Sequence, residues 1–212
     1  QLDKVQRAGL TAFLWPDPAD VESLATKIGK HPALAAFVLA SDFNSLAIPD
    51  LAQAMEIHKR LMPDKTPLVC LFPSYVYPTT VKAESYKAFL DEYVAKCKPP
   101  LLVYDDYSLM DDGTLDDHFW ASLEIIRAKA IESHIPFWNV VQASGHLKYR
   151  NPSAADLRFQ AYATAAYGGR GVAYFTYKAY PVGNYSGAAV DQYGNETETW
   201  KWLQNTNMQI KT

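Results

Sequence analysis

The sequence predicts an α/β fold, a parallel (β/α) barrel of the TIM type. Six strand–helix units are visible where a closed barrel has eight. Three observations carry this. Short β-rich runs alternate strictly with helical runs, the pattern of a parallel sheet. The β-rich runs are apolar throughout rather than at every second residue, as expected when both faces of a sheet are covered. Polar and aromatic residues gather after the runs, whereas the stretches before them, such as RAGL, HPAL and CKPP, read as plain turns. A doubly wound open sheet is the competing fold. It announces itself by a glycine-rich turn after its first strand, and WPDPAD at 15–20 is not one.

Taken in order, the first strand is expected at Thr11 to Trp15, with a helix from Pro18 to Gly29. Asp17 is a good N-cap, with Pro18 in the first helical position. The second strand is Leu34 to Ala40, and its helix, Pro49 to Leu61, is ended by Pro63. The third is Pro67 to Phe72, with a helix from Ala83 to Lys96. The fourth is Leu101 to Tyr104, followed by an acidic loop and a helix from His118 to Ser133. The fifth is Pro136 to Val141, and its helix runs from Ala154 to Tyr167. Ser153 with Asp156 marks that helix start, and Gly168-Gly169 supplies its stop. The sixth strand is Gly171 to Tyr177, and a Gly/Asn/Tyr loop leads to a last helix from Glu198.

The chain of 212 residues suits one core, so residues 1–212 are read as a single, partial barrel domain. Hydrophobic residues make up 49% and charged residues 20%, the balance of a globular protein. The net charge of -3 argues against a nucleic-acid partner or an anionic membrane surface. No apolar run reaches bilayer length. Cys70 and Cys97 read as ordinary thiols. No histidine or cysteine pair has metal-ligand spacing, no phosphate-binding glycine loop lies between a strand and a helix, and no cofactor is expected. The sequence holds fourteen Tyr and five Trp, side chains with an apolar body and a polar tip that suit sugar faces as well as cores. Asn184-Tyr185-Ser186 and Asn195-Glu196-Thr197 match the N-glycosylation pattern, which is too short to fix a compartment.

Five segments, HPALAAFVLASDFN, LFPSY, PPLLVYDDY, IPFWNVVQ and LRFQAYATAAYGGRGVAYFTY, together resemble bacterial barrel proteins of the retaining glycoside-hydrolase superfamily, in its β-galactosidase-like group. The resemblance runs in order over roughly residues 9 to 205. It implies that the six strands correspond to strands three to eight of the family barrel. It also implies a carbohydrate partner and, weakly, a periplasmic or extracellular location. In the family a glutamate ending the fourth strand is the acid/base, carried as Asp-Glu-Pro-Asn. Here the place reads Ser41-Asp42-Phe43-Asn44, so Asp42 stands for the glutamate, one methylene shorter. The family's nucleophile, a glutamate ending the seventh strand, has Gln142 in its place. A Tyr-Asp-His-Tyr strand end reads Tyr104-Asp105-Asp106-Tyr107.

Glycosidic cleavage needs two carboxyl groups flanking the bond, about 5–5.5 Å apart for retention and about 6.5–9.5 Å for inversion. Asp42 and Asp105 are the catalytic candidates, Asp42 alternatively a helix cap and Asp105 alternatively part of an acidic loop. Asn44, Tyr75, Tyr104, Asp106, Tyr107, Trp138, Gln142, His146, Tyr177 and Lys178 are the substrate-binding candidates. The tyrosines and Trp138 offer stacking platforms or core packing. Asn44 and Gln142 offer hydroxyl partners; His146, on a loop, and Lys178, ending the last strand, either bind or simply meet solvent. Two readings therefore stand: an altered hydrolase, or a catalytically degenerate barrel kept as a binding or structural subunit. Six strands also leave two unpaired edges. An N-terminal segment, a partner chain or self-association is expected to cover them.

Overall fold

A computed structural model describes residues 1–211. The six strands follow chain order, β1-β2-β3-β4-β5-β6, and helices separate them. The described registers are all parallel. The fold is therefore α/β, a partial parallel barrel of six strand–helix units. The backbone divides into two compact units, residues 1–103 with 133–135, and residues 104–132 with 136 onward.

The first unit opens with a helix that the expected element order lacked, α1 (Leu2–Arg7). The His31 ring meets the Asp3 carboxylate of α1 at 3.0 Å. Strand β1 (Ala12–Leu14) pairs with β2 (Leu34–Ser41), and β2 pairs with β3 (Leu68–Leu71). Asp17 caps as expected, accepting from the Ala19 amide at 3.0 Å, but it starts a 3-10 turn that precedes α2 (Val21–Ile28). Helix α3 (Ile48–Leu61) follows β2. After β3 come a single turn, α4 (Pro78–Val81), and α5 (Tyr86–Cys97). Helix α5 begins three residues later than the periodicity suggested, because Ser85 accepts from the Ala88 amide and sets the helix start there. Phe37, Ile48, Leu71, Phe89 and Tyr93 are fully buried. Phe43 joins them, with its ring 5.3 Å from Phe89 and 5.5 Å from Tyr93.

Strand β4 (Leu102–Asp105) spans the boundary between the units. The second unit continues with α6 (His118–Ser133), β5 (Phe137–Gln142), α7 (Ala154–Ala166), β6 (Gly171–Phe175) and α8 (Glu198–Ile210). Strands β5 and β6 pair from Trp138–Gly171 to Gln142–Phe175. The Trp138 indole lies so close to Gly171 that an added Cβ there would stand 2.7 Å from the ring, so only glycine fits. Helix α7 starts at the capping box that Ser153 and Asp156 promised. It ends where Gly168 takes a left-handed backbone, φ +89°. Ala143, Leu157, Ala189 and Leu203 form a buried cluster against which Tyr174, Trp200 and Trp202 pack. Buried Asn139 donates its Nδ2 to the Thr164 hydroxyl at 3.0 Å, while its Oδ1 has no hydrogen-bond partner.

Candidate functional site

In a parallel sheet of this kind, side chains that do chemistry project from the carboxyl ends of the strands. In the second unit these ends are Asp105, Gln142 and Phe175, and the loops after them bring an aromatic cluster together. Tyr107 stands edge-on to His146, with centroids 4.9 Å apart, and stacks on Phe175 at 5.4 Å. His146 lies flat on Tyr185, with ring planes 4° apart and centroids 5.4 Å apart. Tyr149 and Tyr180 extend the group, Tyr149 at 5.1 Å from His146 and Tyr180 at 4.9 Å from Tyr185. Beside this wall the Tyr107 hydroxyl donates to the Asp105 carboxylate at 3.3 Å.

The loops carrying the cluster are pinned by amide side chains. Asn184 accepts from the Leu147 amide at 2.7 Å and donates to the Leu147 carbonyl at 2.8 Å. Asn151 accepts from the Gly145 amide and the Ser186 hydroxyl, at 3.0 and 2.9 Å. The Asn184 amide of the glycosylation-like triplet is thus used as a loop clasp. Arg150 grips Asp156 with two parallel bonds of 2.7 and 2.9 Å. Burial alone would raise the Asp156 carboxyl. Hydrogen bonds from Arg150 and Ser153, with the Arg150 charge, outweigh it and hold the group at about 2.

His146 is buried, and its Nδ1 is 3.1 Å from the Ser144 carbonyl. A carbonyl can only accept, so Nδ1 carries the hydrogen and Nε2 keeps the lone pair of the neutral ring. Burial pushes the His146 pKa down, which favours that neutral form. The site therefore offers aromatic faces, a carboxylate and an imidazole acceptor, a set suited to a hydroxyl-rich molecule.

Gln142 lies fully buried at the end of β5, and both ends of its amide are engaged. Its Oε1 accepts from the Leu109 amide at 3.3 Å, and its Nε2 donates to the Arg150 carbonyl at 2.6 Å. Tyr104 and Asp106 are also buried. Burial raises the Asp106 pKa, opposed by hydrogen bonds from Ser108 and Ser122, with a further upward push from Asp116 and a downward one from His118. Trp138 is the second residue of β5, four residues from Gln142 and thus about 13 Å along the strand. Tyr177 and Lys178 are exposed just beyond β6.

The first unit holds the remaining candidates. Asp42 directly follows β2 with a left-handed backbone, φ +51°, and its amide donates to the Cys70 carbonyl. Neighbouring protein displaces enough water from its carboxyl to raise the pKa. Asn44 caps the 3-10 turn Ser45–Ala47, accepting from the Leu46 amide at 3.0 Å. Tyr75 is half-buried after β3.

So the structure joins Asp105, Tyr107 and His146 in one cluster. It adds Phe175 and Tyr185, which the strand-by-strand reading did not single out. The tyrosine-rich loop after β6 was the available signal. Among the described residues no group of three or more His, Cys, Asp or Glu side chains is placed to hold a metal ion. No described helix is long and apolar enough to cross a membrane.

No protein-family model and no curated protein sequence matches the chain. Solved structures do. A β-galactosidase from the psychrophilic Marinomonas ef1 superposes with a TM-score of 0.64 at 10% identity, over 92% of this chain and 42% of that one. A β-galacturonidase from Eisenbergiella tayi gives 0.64 at 13% identity, over 91% and 36%. An endo-β-1,4-glucanase from Xanthomonas axonopodis pv. citri, carrying three substitutions, gives 0.59 at 13% identity, over 89% and 64%. The chain thus spans roughly a third to two thirds of the length of these structures, and its fold is that of a glycoside-hydrolase barrel.

Proposed function

We propose that this chain binds a carbohydrate through the loops that follow Asp105, Gln142 and Phe175 and hydrolyses O-glycosidic bonds, with Asp42, which stands where the resembled family has its acid/base, as the acid candidate. The observation that carries the binding part is the cluster of Tyr107, His146, Phe175 and Tyr185 beside the Asp105 carboxylate. Flat aromatic faces suit the apolar faces of a pyranose, while Asp105 and the His146 Nε2 accept from its hydroxyls. Calorimetric titration with a panel of oligosaccharides tests this. Binding weakened by Tyr185→Ala and by Asp105→Asn supports the site, and no binding across the panel counts against it. Hydrolysis of aryl glycosides, with Asp42→Asn alongside, tests the chemistry. Equal rates for both proteins would remove Asp42 from the mechanism.

A second reading is a catalytically degenerate barrel kept as a binding or structural subunit. The state of Gln142 favours it. Where the related enzymes carry a nucleophile, this chain has a buried amide spent on two backbone groups. Absence of turnover together with retained sugar binding would support this reading.

The outer edges of β1 and β6 bear on partners. Leu10, Phe13 and Trp15 are exposed at and around β1, and every residue of β6 is only half-buried. We propose that additional strands cover these edges in the working protein, from a preceding segment, a partner chain or another copy.

A further inference from the structure

The first unit contains a cavity of about 260 Å³ away from the strand ends that carry Asp42 and Tyr75. It lies where β3 begins, at Thr66 and Pro67, and where α3 and α5 end, at His58 and Cys97. Its size is near the lower bound of small-molecule sites, about 300 Å³.

Its wall holds an unresolved polar group. His58 has no exposed surface, and neither ring nitrogen has a hydrogen-bond partner. An imidazole always carries at least one N–H and, when neutral, one lone pair. Leaving such groups unmet in a protein interior carries their full desolvation penalty. Phe37 meets the ring edge-on at 5.9 Å and satisfies neither nitrogen. Burial, with the Lys65 charge, pushes the His58 pKa down to about 4, so the ring is neutral at physiological pH.

The charge around the cavity is positive. Lys59, Lys65 and Lys98 line it against Glu56 alone. Lys59 sits in the last turn of α3, where a cation complements the helix end. Lys65 lies on no helix. Its ammonium donates to the carbonyls of His31 and Leu34, which leaves one of its three hydrogens. A metal cation is disfavoured by these lysines. An anion offsets them and accepts from an imidazole N–H. Met55 and the flanking prolines supply apolar walls for a short hydrocarbon body.

We infer that this cavity is a binding site for a small organic carboxylate, held by His58 and the Lys65 and Lys98 ammonium groups. The inference stands apart from the carbohydrate reading, since it uses none of the same residues.

The test is a titration of the intact chain with sodium benzoate, followed by the imidazole carbon and proton resonances of its five histidines. The expected result is a saturable shift of His58, with His146 unmoved and benzyl alcohol without effect. Lys98→Ala should weaken the affinity about threefold or more. His58→Phe, which keeps the ring contact with Phe37 and removes the unmet polar atoms, should fold and lose the binding. No shift at His58 overturns the inference. So does an equal response to benzyl alcohol, which would show an apolar cleft. A uniform shift of all histidines, a bulk ionic effect, overturns it as well. If a variant fails to fold, the benzoate and benzyl alcohol comparison on the unaltered chain decides.

Discussion

His146 and Tyr185 lie face to face, with ring planes 4° apart and centroids 5.4 Å apart, and this pair joins the loop after β5 to the loop after β6. Replacing Tyr185 by alanine removes the stack while Asn184 still clasps Leu147. The expected outcome is an oligosaccharide affinity weakened about tenfold, with a loss of stability near 1 kcal/mol, the usual worth of an aromatic pair. Calorimetry and thermal melting report the two effects separately.

Gln142→Glu would place a carboxylate where the sequence resemblance puts the family's nucleophile. Here it should not restore activity. The side chain is fully buried, and its Nε2 donates to the Arg150 carbonyl at 2.6 Å. A carboxylate oxygen in that place faces another acceptor and loses its solvation. A destabilisation of about 2–4 kcal/mol is expected, with no gain in aryl-glycoside hydrolysis. Urea melts and a turnover assay check both parts.

Asp156 titrates at about 2 when folded, against an ordinary 3.8. The unfolded chain therefore binds its proton first as pH falls, and the stabilisation present above pH 4 is lost between about pH 4 and 2. Asp156→Asn should cost about 1–2 kcal/mol at pH 7 and flatten the acid limb of the stability profile. Chemical denaturation at several pH values measures this.

His58 gives a limb at higher pH. Its folded pKa is about 4 and its ordinary value is 6.5. Lys65 sits nearest among the charges, with Lys59, Lys98 and Glu56 around the same cavity. The unfolded chain takes up the proton first, so stability falls as pH drops from about 6.5 to 4 and is flat above 7. His58→Phe should abolish that limb, amounting to roughly 2–3 kcal/mol at pH 4.

Trp15, 65% exposed beside β1, and the half-buried β6 mark apolar edges. Multi-angle light scattering of the isolated chain should show self-association that Trp15→Lys and Phe13→Lys reduce. A stable monomer that binds no apolar dye would argue against covered edges.

The strand–helix alternation was readable because buried parallel strands are apolar at every position, and their helices carry caps such as Ser153 with Asp156. Helix α1 was not readable. It is six residues long, buries none of them fully and carries only Leu2 and Val5 as apolar side chains, too few to set a period. The start of α5 shifted because a serine cap outranked the apolar pattern. In the candidate site, Asp105, Tyr107 and His146 could be named because they follow strands. Phe175 and Tyr185 could not, because the contacts that gather them span long loops and depend on the Asn151 and Asn184 clasps.

The sequence by itself determined the α/β class, the order of six units and the position of the polar strand ends. Those properties follow from local composition and from the repeat of apolar residues along the chain. Tertiary structure decided which groups are available. It turned Gln142 into a buried strut, stacked His146 on Tyr185 with Nδ1 protonated, and left His58 unpaired beside a cavity. Hydrogen-bond satisfaction and burial depend on neighbours distant in sequence, and only the folded chain supplies them.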